Sequence, residues 1–303
     1  MVEYPMTFDE FTHKFSTEKD CKDYLYSLRF QNGFVCPKCG HTKAWTIIGT
    51  LYECTECGHQ TSVIAGTIFQ DTRKPLREWF TAIWWITTQK NGASAQGLQQ
   101  VLGLKSYKTA WTWLHKIRTA MVVSNRQKLS GTVETDEIYL GGSEKGGKRG
   151  RGSENKAIVA IAVEVKGKLL GRVRMNIIDD VTSGSLQGFI KGNIEPGATL
   201  ITDAWRGYSG IETEGYSREI INQSNAQNDE EMLPHIHMIA SLLKRWLLGT
   251  HQGAVSQKHL QAYLDEFVFR FNRRKSAKRG LLFYRLLENA MKVPPTTLDD
   301  FLK

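Results

Sequence analysis

The sequence predicts a mixed α/β core preceded by a small cysteine-built ribbon and a helical module. Three observations carry that expectation: two Cys-x-x-Cys pairs near the start, apolar residues at helical spacing between 76 and 121, and strands alternating with helices after Gly131. A chain of 303 residues has the length for a core domain plus one or two small modules. The expected boundaries are 1–72 for the N-terminal segment and ribbon, 73–128 for the helical module, and 129–303 for the α/β domain.

Residues 36 to 57 read CPKCGHTKAWTIIGTLYECTEC. Cys36, Cys39, Cys54 and Cys57 form two knuckles around a short strand-turn-strand, and a two-residue spacer lets one turn present both sulfurs to one ion. Four thiolates satisfy tetrahedral zinc at about 2.3 Å each and leave no open position for water, which makes the zinc structural. Gly40 and Gly58 follow the second cysteine of each pair, where a knuckle needs a positive backbone angle. His41 and His59 stand beside the knuckles, but four cysteines already close the site. Cys21 has no partner in sequence and reads as a buried apolar side chain. Thiols spaced for metal rather than disulfides suit a reducing compartment.

From Leu76 to Met121 the period is helical. Pro75 precedes the first helix, Asn91-Gly92 ends it, Ser94 caps a second, and Gly103 leads to a third that starts near Ser106. Three helices with short turns match a helix-turn-helix, whose last helix, Ser106 to Arg118, would expose Tyr107, Lys108, Thr109, Lys116 and Arg118 to a groove. A small bundle in which Trp111 and Trp113 merely pack is the alternative.

Three strands then follow, GTVETDEIYLGG, NKAIVAIAVEVKG and LLGRVRMNIIDDV, before a helix that opens on Ser183 or Ser185. ATLITDAWRGY and YSREIIN read as further strands, in an order that lets the first and fourth lie side by side. Asp136 sits in the first strand and Asp203 at the end of the fourth. An acid in an apolar strand is costly to bury without a compensating cation, so two such acids at adjacent strand ends point to Mg²⁺-type ions and phosphoryl transfer. Acids on an edge strand are the bland alternative. Glu134 shares the Asp136 face by the two-residue period and is a candidate auxiliary acid, whereas Glu137 points the other way, to solvent or a structural partner.

LPHIHMIASLLKR, residues 233 to 245, reads as a helix opening on Pro234. At about 100° per residue, His237 and Lys244 fall within roughly 20° of each other, with Ser241 on the same stripe. Ile236, Ile239, Ala240, Leu243 and Leu247 fill the neighbouring arc and pack on the sheet, while His235 lies about 160° from His237 and should not share its target. An ordinary hydrogen-bonded histidine and a solvated lysine are the alternatives here.

The net charge of +9 gathers in clusters such as Lys145 to Lys156 and Arg270 to Arg279, which points to a polyanion, nucleic acid before membrane. The Gly-rich basic loop 141–156 is expected to touch a DNA backbone or to stand as a solvated hairpin tip. No apolar run nears the roughly 18 to 20 residues that span a bilayer, and the N-terminus lacks a signal-peptide pattern, so a cytoplasmic protein is expected.

Together these segments resemble the transposases of bacterial insertion sequences that begin with a zinc ribbon, the family numbered fifteen ninety-five, related to the Merlin DNA transposons. The resemblance is carried by the Cys36 to Cys57 ribbon with TSVIAGTIF after it, VETDEIYLGG, LITDAWRGY, LLKRWLLGTHQG and HLQAYLDEFVFRFNRR. It implies a DDE-type transposase with a ribonuclease H-like core, in which Asp136 and Asp203 are the first two metal-binding acids. The family's third position, usually Glu or Asn, falls on His237, and its downstream lysine on Lys244. An imidazole there removes a negative charge and suits Mn²⁺ better than a carboxylate would, which leaves magnesium or manganese open. The resemblance also implies cleavage of the element ends by two metals, joining of 3′-hydroxyls to target DNA, and a homo-oligomer on paired ends. Two rivals stand beside it: a DNA-binding regulator with an inert α/β domain, and a ribonuclease H-like nuclease that cuts without joining.

Overall fold

The computed structural model describes residues 3–47, 51–122, 126–141, 156–167, 169–221, 233–253 and 255–302. The basic loop expected to meet DNA therefore lies almost wholly outside the described residues. The chain divides into two compact units, Met1–Val123 with Ser276–Lys303, and Ser124–Lys275. The last 28 residues, read from sequence as part of the α/β domain, thus group with the N-terminal unit.

In the first unit α1 (Phe8–Lys14) and α2 (Glu18–Arg29) open on Thr7 and Thr17, and Thr17 forms a reciprocal capping box with Asp20. β1 (Ala44–Thr46), β2 (Leu51–Cys54) and β3 (Gln60–Ser62) form an antiparallel sheet in that order. The helical module is α3 (Leu76–Thr88), α4 (Ala95–Leu102) and α5 (Tyr107–Thr119). Ser94 caps α4 by accepting from the Gly97 N–H at 3.0 Å, and Gly103 ends it in the left-handed conformation at φ 61°.

Trp113 stacks on Trp79 with ring centroids 3.9 Å apart, so this tryptophan belongs to the core. Tyr107 and Lys108 are exposed as expected, but Arg118 is 1% exposed. The reason is periodic: Ala110, Trp113, Leu114, Ile117 and Arg118 fall on one buried stripe of α5. Lys116 and Thr109 are half-buried.

α9 (Arg279–Ala290) and α10 (Leu298–Leu302) complete this unit. An aromatic cluster explains why the C-terminal segment sits here, since the Phe283 ring meets Phe11 at 5.5 Å, Trp84 at 5.6 Å, Phe15 at 5.7 Å and Phe80 at 5.8 Å. Gly280 permits the approach, because a Cβ there would lie 1.6 Å from the Pro5 carbonyl oxygen.

The second unit is a five-stranded sheet of β4 (Thr132–Leu140), β5 (Ala157–Lys166), β6 (Leu169–Ile178), β7 (Thr199–Thr202) and β8 (Ser217–Ile220), in the order β6-β5-β4-β7-β8. β4, β5 and β6 are antiparallel neighbours, while β7 runs parallel to β4 and β8 parallel to β7. This antiparallel meander extended by parallel strands is the ribonuclease H-like arrangement, with α6 (Ser183–Asn193) crossing from β6 to β7. α7 (Pro234–His251) and α8 (Gln257–Asn272) follow the last strand.

Strand parity sends side chains to two cores. Val133, Ala160, Ala162 and Leu200 pack with α6 residues Leu186, Phe189 and Ile190. Val159, Ile161 and Val163 pack on the other face with Ile236, Ile239 and Leu243 of α7 and Leu264 and Val268 of α8. Ile138 and Leu140 join that second core, so the even-numbered residues of β4 face α7. At the β5 bulge, Glu164 is buried and paired with Arg172 at 2.5 Å, and it also accepts from the Ser130 and Arg172 backbone N–H groups at 3.1 Å. Gly171 makes room, since a Cβ there would lie 2.6 Å from the Glu164 Cβ. Among the described residues no helix is long and apolar enough to cross a membrane.

Candidate metal centre and active site

The two cysteine knuckles are built alike. Cys36 N–H donates to the His41 carbonyl and Gly40 N–H to the Cys36 carbonyl, and Cys54 and Gly58 repeat the pattern with His59 and Cys54. Gly40 and Gly58 take φ 75° and 63°, the positive angle that each turn requires. Sγ of Cys36 lies 3.7 Å from that of Cys57, and Sγ of Cys39 lies 3.5 Å from that of Cys54. Sulfurs about 2.3 Å from a shared tetrahedral ion sit about 3.8 Å apart, so the four thiols fit one zinc. Burial opposes ionisation of Cys36, but backbone N–H groups of Cys39 and Lys38 outweigh it and bring the thiol down to about 6, while against the pull of the His41 N–H the neighbouring thiols push Cys39 up to about 12. Among the described residues these four form the group of potential ligands whose atoms all converge, within 4.8 Å; Asp136, Asp203 and His237 do not draw together to that degree.

The acids are assembled by the sheet. β4 and β7 pair with Thr132 opposite Thr199 and Glu134 opposite Ile201, and continuing that register two residues brings Asp136 level with Asp203. Asp136 Oδ1 accepts from the Glu137 N–H at 2.8 Å, and Asp203 Oδ1 accepts from the Trp205 N–H at 2.9 Å. The second oxygen of each has no hydrogen-bond partner among the described residues. Burial, the charge of Glu137 and the charge of Asp203 push the Asp136 carboxyl up to about 7, against the pull of the Glu137 N–H and of His237. Two carboxylates that feel each other's charge, with an imidazole acting on one of them, are oxygen and nitrogen donors of the kind that could hold Mg²⁺ or Mn²⁺.

His237 is half-buried in the first turns of α7, while Lys244, two turns on, is exposed. Lys244 lines a cleft of about 330 Å³ with Tyr139, Leu140, Leu247 and Leu248, so it stands over the end of the strand that carries Asp136.

Glu134 is not an auxiliary acid beside Asp136: it is 4% exposed, and both its oxygens are spent on the start of α7. His235 does not share the target of His237, which acts on Asp136: its Nδ1 lies 2.5 Å from Glu134 Oε1. His235 lies in the first turn of α7, where a strand residue can reach the helix end. Glu137 has the structural partner foreseen for it, the Tyr208 hydroxyl, which donates to Oε2 at 3.2 Å.

One contributor was not anticipated at all. Arg218 in β8 donates to Thr202 Oγ1 and to the Asp203 and Trp205 carbonyls, bracing the turn that presents Asp203. No local signal marks it, because its partners belong to the neighbouring parallel strand. Of the C-terminal arginines, Arg274 lies 3.9 Å from the Phe271 ring centroid and donates to the Leu170 and Gly171 carbonyls, so it serves packing.

Residues 16–60 match the transposase zinc-ribbon domain and residues 128–272 the ISXO2-like transposase domain, together more than half of the chain. The chain belongs to the zinc-ribbon transposases of insertion elements. The transposase-domain match lies inside the second compact unit. This transposase is similar to an uncharacterized protein in transposable element ISH50 of Halobacterium salinarum, 27% identical over 280 residues that cover 84% of this chain and 91% of that protein. The crystal structure of the Mos1 strand transfer complex aligns over 74% of this chain and 79% of that chain, at 11% identity and a TM-score of 0.29. That score is too low to carry an argument, and the fold assignment rests on strand order and direction.

Proposed function

We propose that this transposase binds the ends of its element, cuts them, and joins the resulting 3′-hydroxyls to target DNA, with Mg²⁺ or Mn²⁺ held by Asp136, Asp203 and His237. The observation that supports the reading is the β4–β7 register, which pairs Glu134 with Ile201 and, carried on two residues, would bring Asp136 level with Asp203 just past the end of β7, on the sheet face that α7 covers. A bound pair of divalent cations would activate the attacking oxygen and neutralise the leaving one. Asp136 and Asp203 bind through the oxygens that their backbone hydrogen bonds leave over, and those bonds orient each carboxylate. His237 contributes a nitrogen donor without adding negative charge, and the exposed Lys244 ammonium takes a DNA phosphate beside the site. The zinc ribbon holds a surface for DNA, and α5 offers exposed Tyr107 and Lys108 as backbone contacts. Paired ends imply a homo-oligomer.

The test is incubation of purified protein with DNA carrying the inverted repeats that flank its coding sequence, in Mg²⁺ and in Mn²⁺. Cleavage that leaves 3′-hydroxyls, followed by their covalent joining to a plasmid, is the expected result. Cutting without joining would assign a nuclease instead, and end binding without cutting a regulator.

A further inference from the structure

The geometry points to Glu134 as a positioning residue: from the strand that carries Asp136 it grips the first turn of α7 and so sets where His237 stands over the acids. The inference rests on the reading of Asp136, Asp203 and His237 as the cation-binding set.

An α-helix begins with backbone N–H groups that have no partner inside it, and each must be satisfied. In α7 the residue before the helix is Leu233, which has no side chain able to cap, and the first helical residue is Pro234, which has no N–H. The next two donors, the N–H groups of His235 and Ile236, both bond Glu134 Oε2 at 3.1 Å. His237 N–H then makes the first bond of the helix itself, to the Leu233 carbonyl at 3.0 Å. The cap that the local sequence lacks is thus supplied by a strand residue 101 positions earlier.

The same carboxylate holds a third bond, Oε1 to His235 Nδ1 at 2.5 Å, in a setting where Glu134 is 4% exposed and the His235 side chain 17%. A buried carboxylate costs several kcal/mol unless fully compensated, and here two N–H groups, an imidazole and the positive end of the helix dipole compensate it. An ordinary Ser or Asp before Pro234 would cap the helix equally well. What only Glu134 adds is registration, because it lies two residues from Asp136 on the same strand face, and His237 stands in the very turn that it grips. A site whose donors come from different elements loses rate when those elements slip by about 1 Å.

The experiment measures end cleavage at saturating DNA in Mn²⁺ for Glu134→Ala and Glu134→Gln, each alone and combined with His237→Ala. Glu134→Ala is expected to lower the maximal rate about 100-fold with unchanged half-saturation by DNA. Glu134→Gln, which keeps a carbonyl oxygen for the N–H groups but loses the charge, should lose about tenfold and carries the test if the alanine variant fails to fold. In the His237→Ala background neither change should cost anything more. Additive losses there, or a shift in half-saturation at an unchanged maximal rate, would overturn the inference. A second arm follows the imidazole signals of histidine-labelled protein by NMR: Glu134→Gln should move those of His237 while leaving those of His13 and His41 in place. Unmoved His237 signals would also overturn it. If the unaltered protein cuts no DNA, the functional reading fails while this arm still decides the role of Glu134.

Discussion

The cysteine centre and the acid site are built on opposite plans. Cys36, Cys39, Cys54 and Cys57 lie within 22 residues, and two similar knuckle turns bring their sulfurs to the spacing that a tetrahedral ion needs. The proposed acid site instead draws Asp136, Asp203 and His237 from β4, the end of β7 and α7, spread over a hundred residues, and its geometry depends on a sheet register and on the contacts of α7. A closed, locally built site is insensitive to the packing of the domain. An open site built from distant elements is only as accurate as the contacts that hold those elements.

The largest effect expected from this difference is at zinc. Cys36→Ser, or chelation, should release one zinc per chain and unfold the ribbon, at a cost of about 10 kcal/mol or more of binding free energy, while the ribonuclease H-like unit keeps its own unfolding transition. Metal analysis with calorimetry checks this, and a ribbon that stays folded without metal would erase the contrast. Next come Asp136→Asn and Asp203→Asn, expected to lower end cleavage by about 10³-fold or more with the fold and end binding retained. Simultaneous loss of binding would indicate misfolding instead.

Packing away from the acids should also matter for the second unit alone. Arg172→Ala strands the buried Glu164 carboxylate and should destabilise that unit by about 3 kcal/mol at neutral pH, read from urea unfolding. Burial raises Glu164, but the Arg172 hydrogen bonds outweigh it and hold the carboxyl below the ordinary range. A group whose folded value is lowered contributes stability above its unfolded value and loses it as pH falls through the folded one. The difference between the two proteins should therefore shrink in acid.

Smaller still, His237→Ala should cost about 100-fold in cleavage rate and His235→Ala only a few-fold, since the latter leaves both backbone bonds to Glu134 intact. Equal losses would show that the two imidazoles share one role. The smallest expected effect is a several-fold faster rate in Mn²⁺ than in Mg²⁺, following from the nitrogen donor, and His237→Glu should reverse that order.

Much of this is legible in the sequence. The knuckles, the Ser94 cap and the apolar arc of α7 follow from short-range spacing, the adjacency of first and fourth strands from the order of elements, and each stands in the structure. Misreadings cluster where spacing names a face but not the partner behind it. Arg118 looked exposed because it is charged, yet it lies on the buried stripe of α5. Glu134 shares the Asp136 face as parity requires, but parity cannot reveal that a helix beginning with Pro234 would claim its oxygens. The placement of residues 276–303 with the N-terminal unit depended on aromatic contacts between chain ends.

The sequence by itself determined the four-cysteine cluster, the family, and the core faces of the sheet strands and of α7, because periodicity and two-residue spacers act over a few residues. Tertiary structure alone decided which acids stand level, which carboxylate caps α7, and which arginine braces Asp203. Those outcomes depend on hydrogen bonds between residues far apart in the chain, whose formation is governed by strand register and burial rather than by any local pattern.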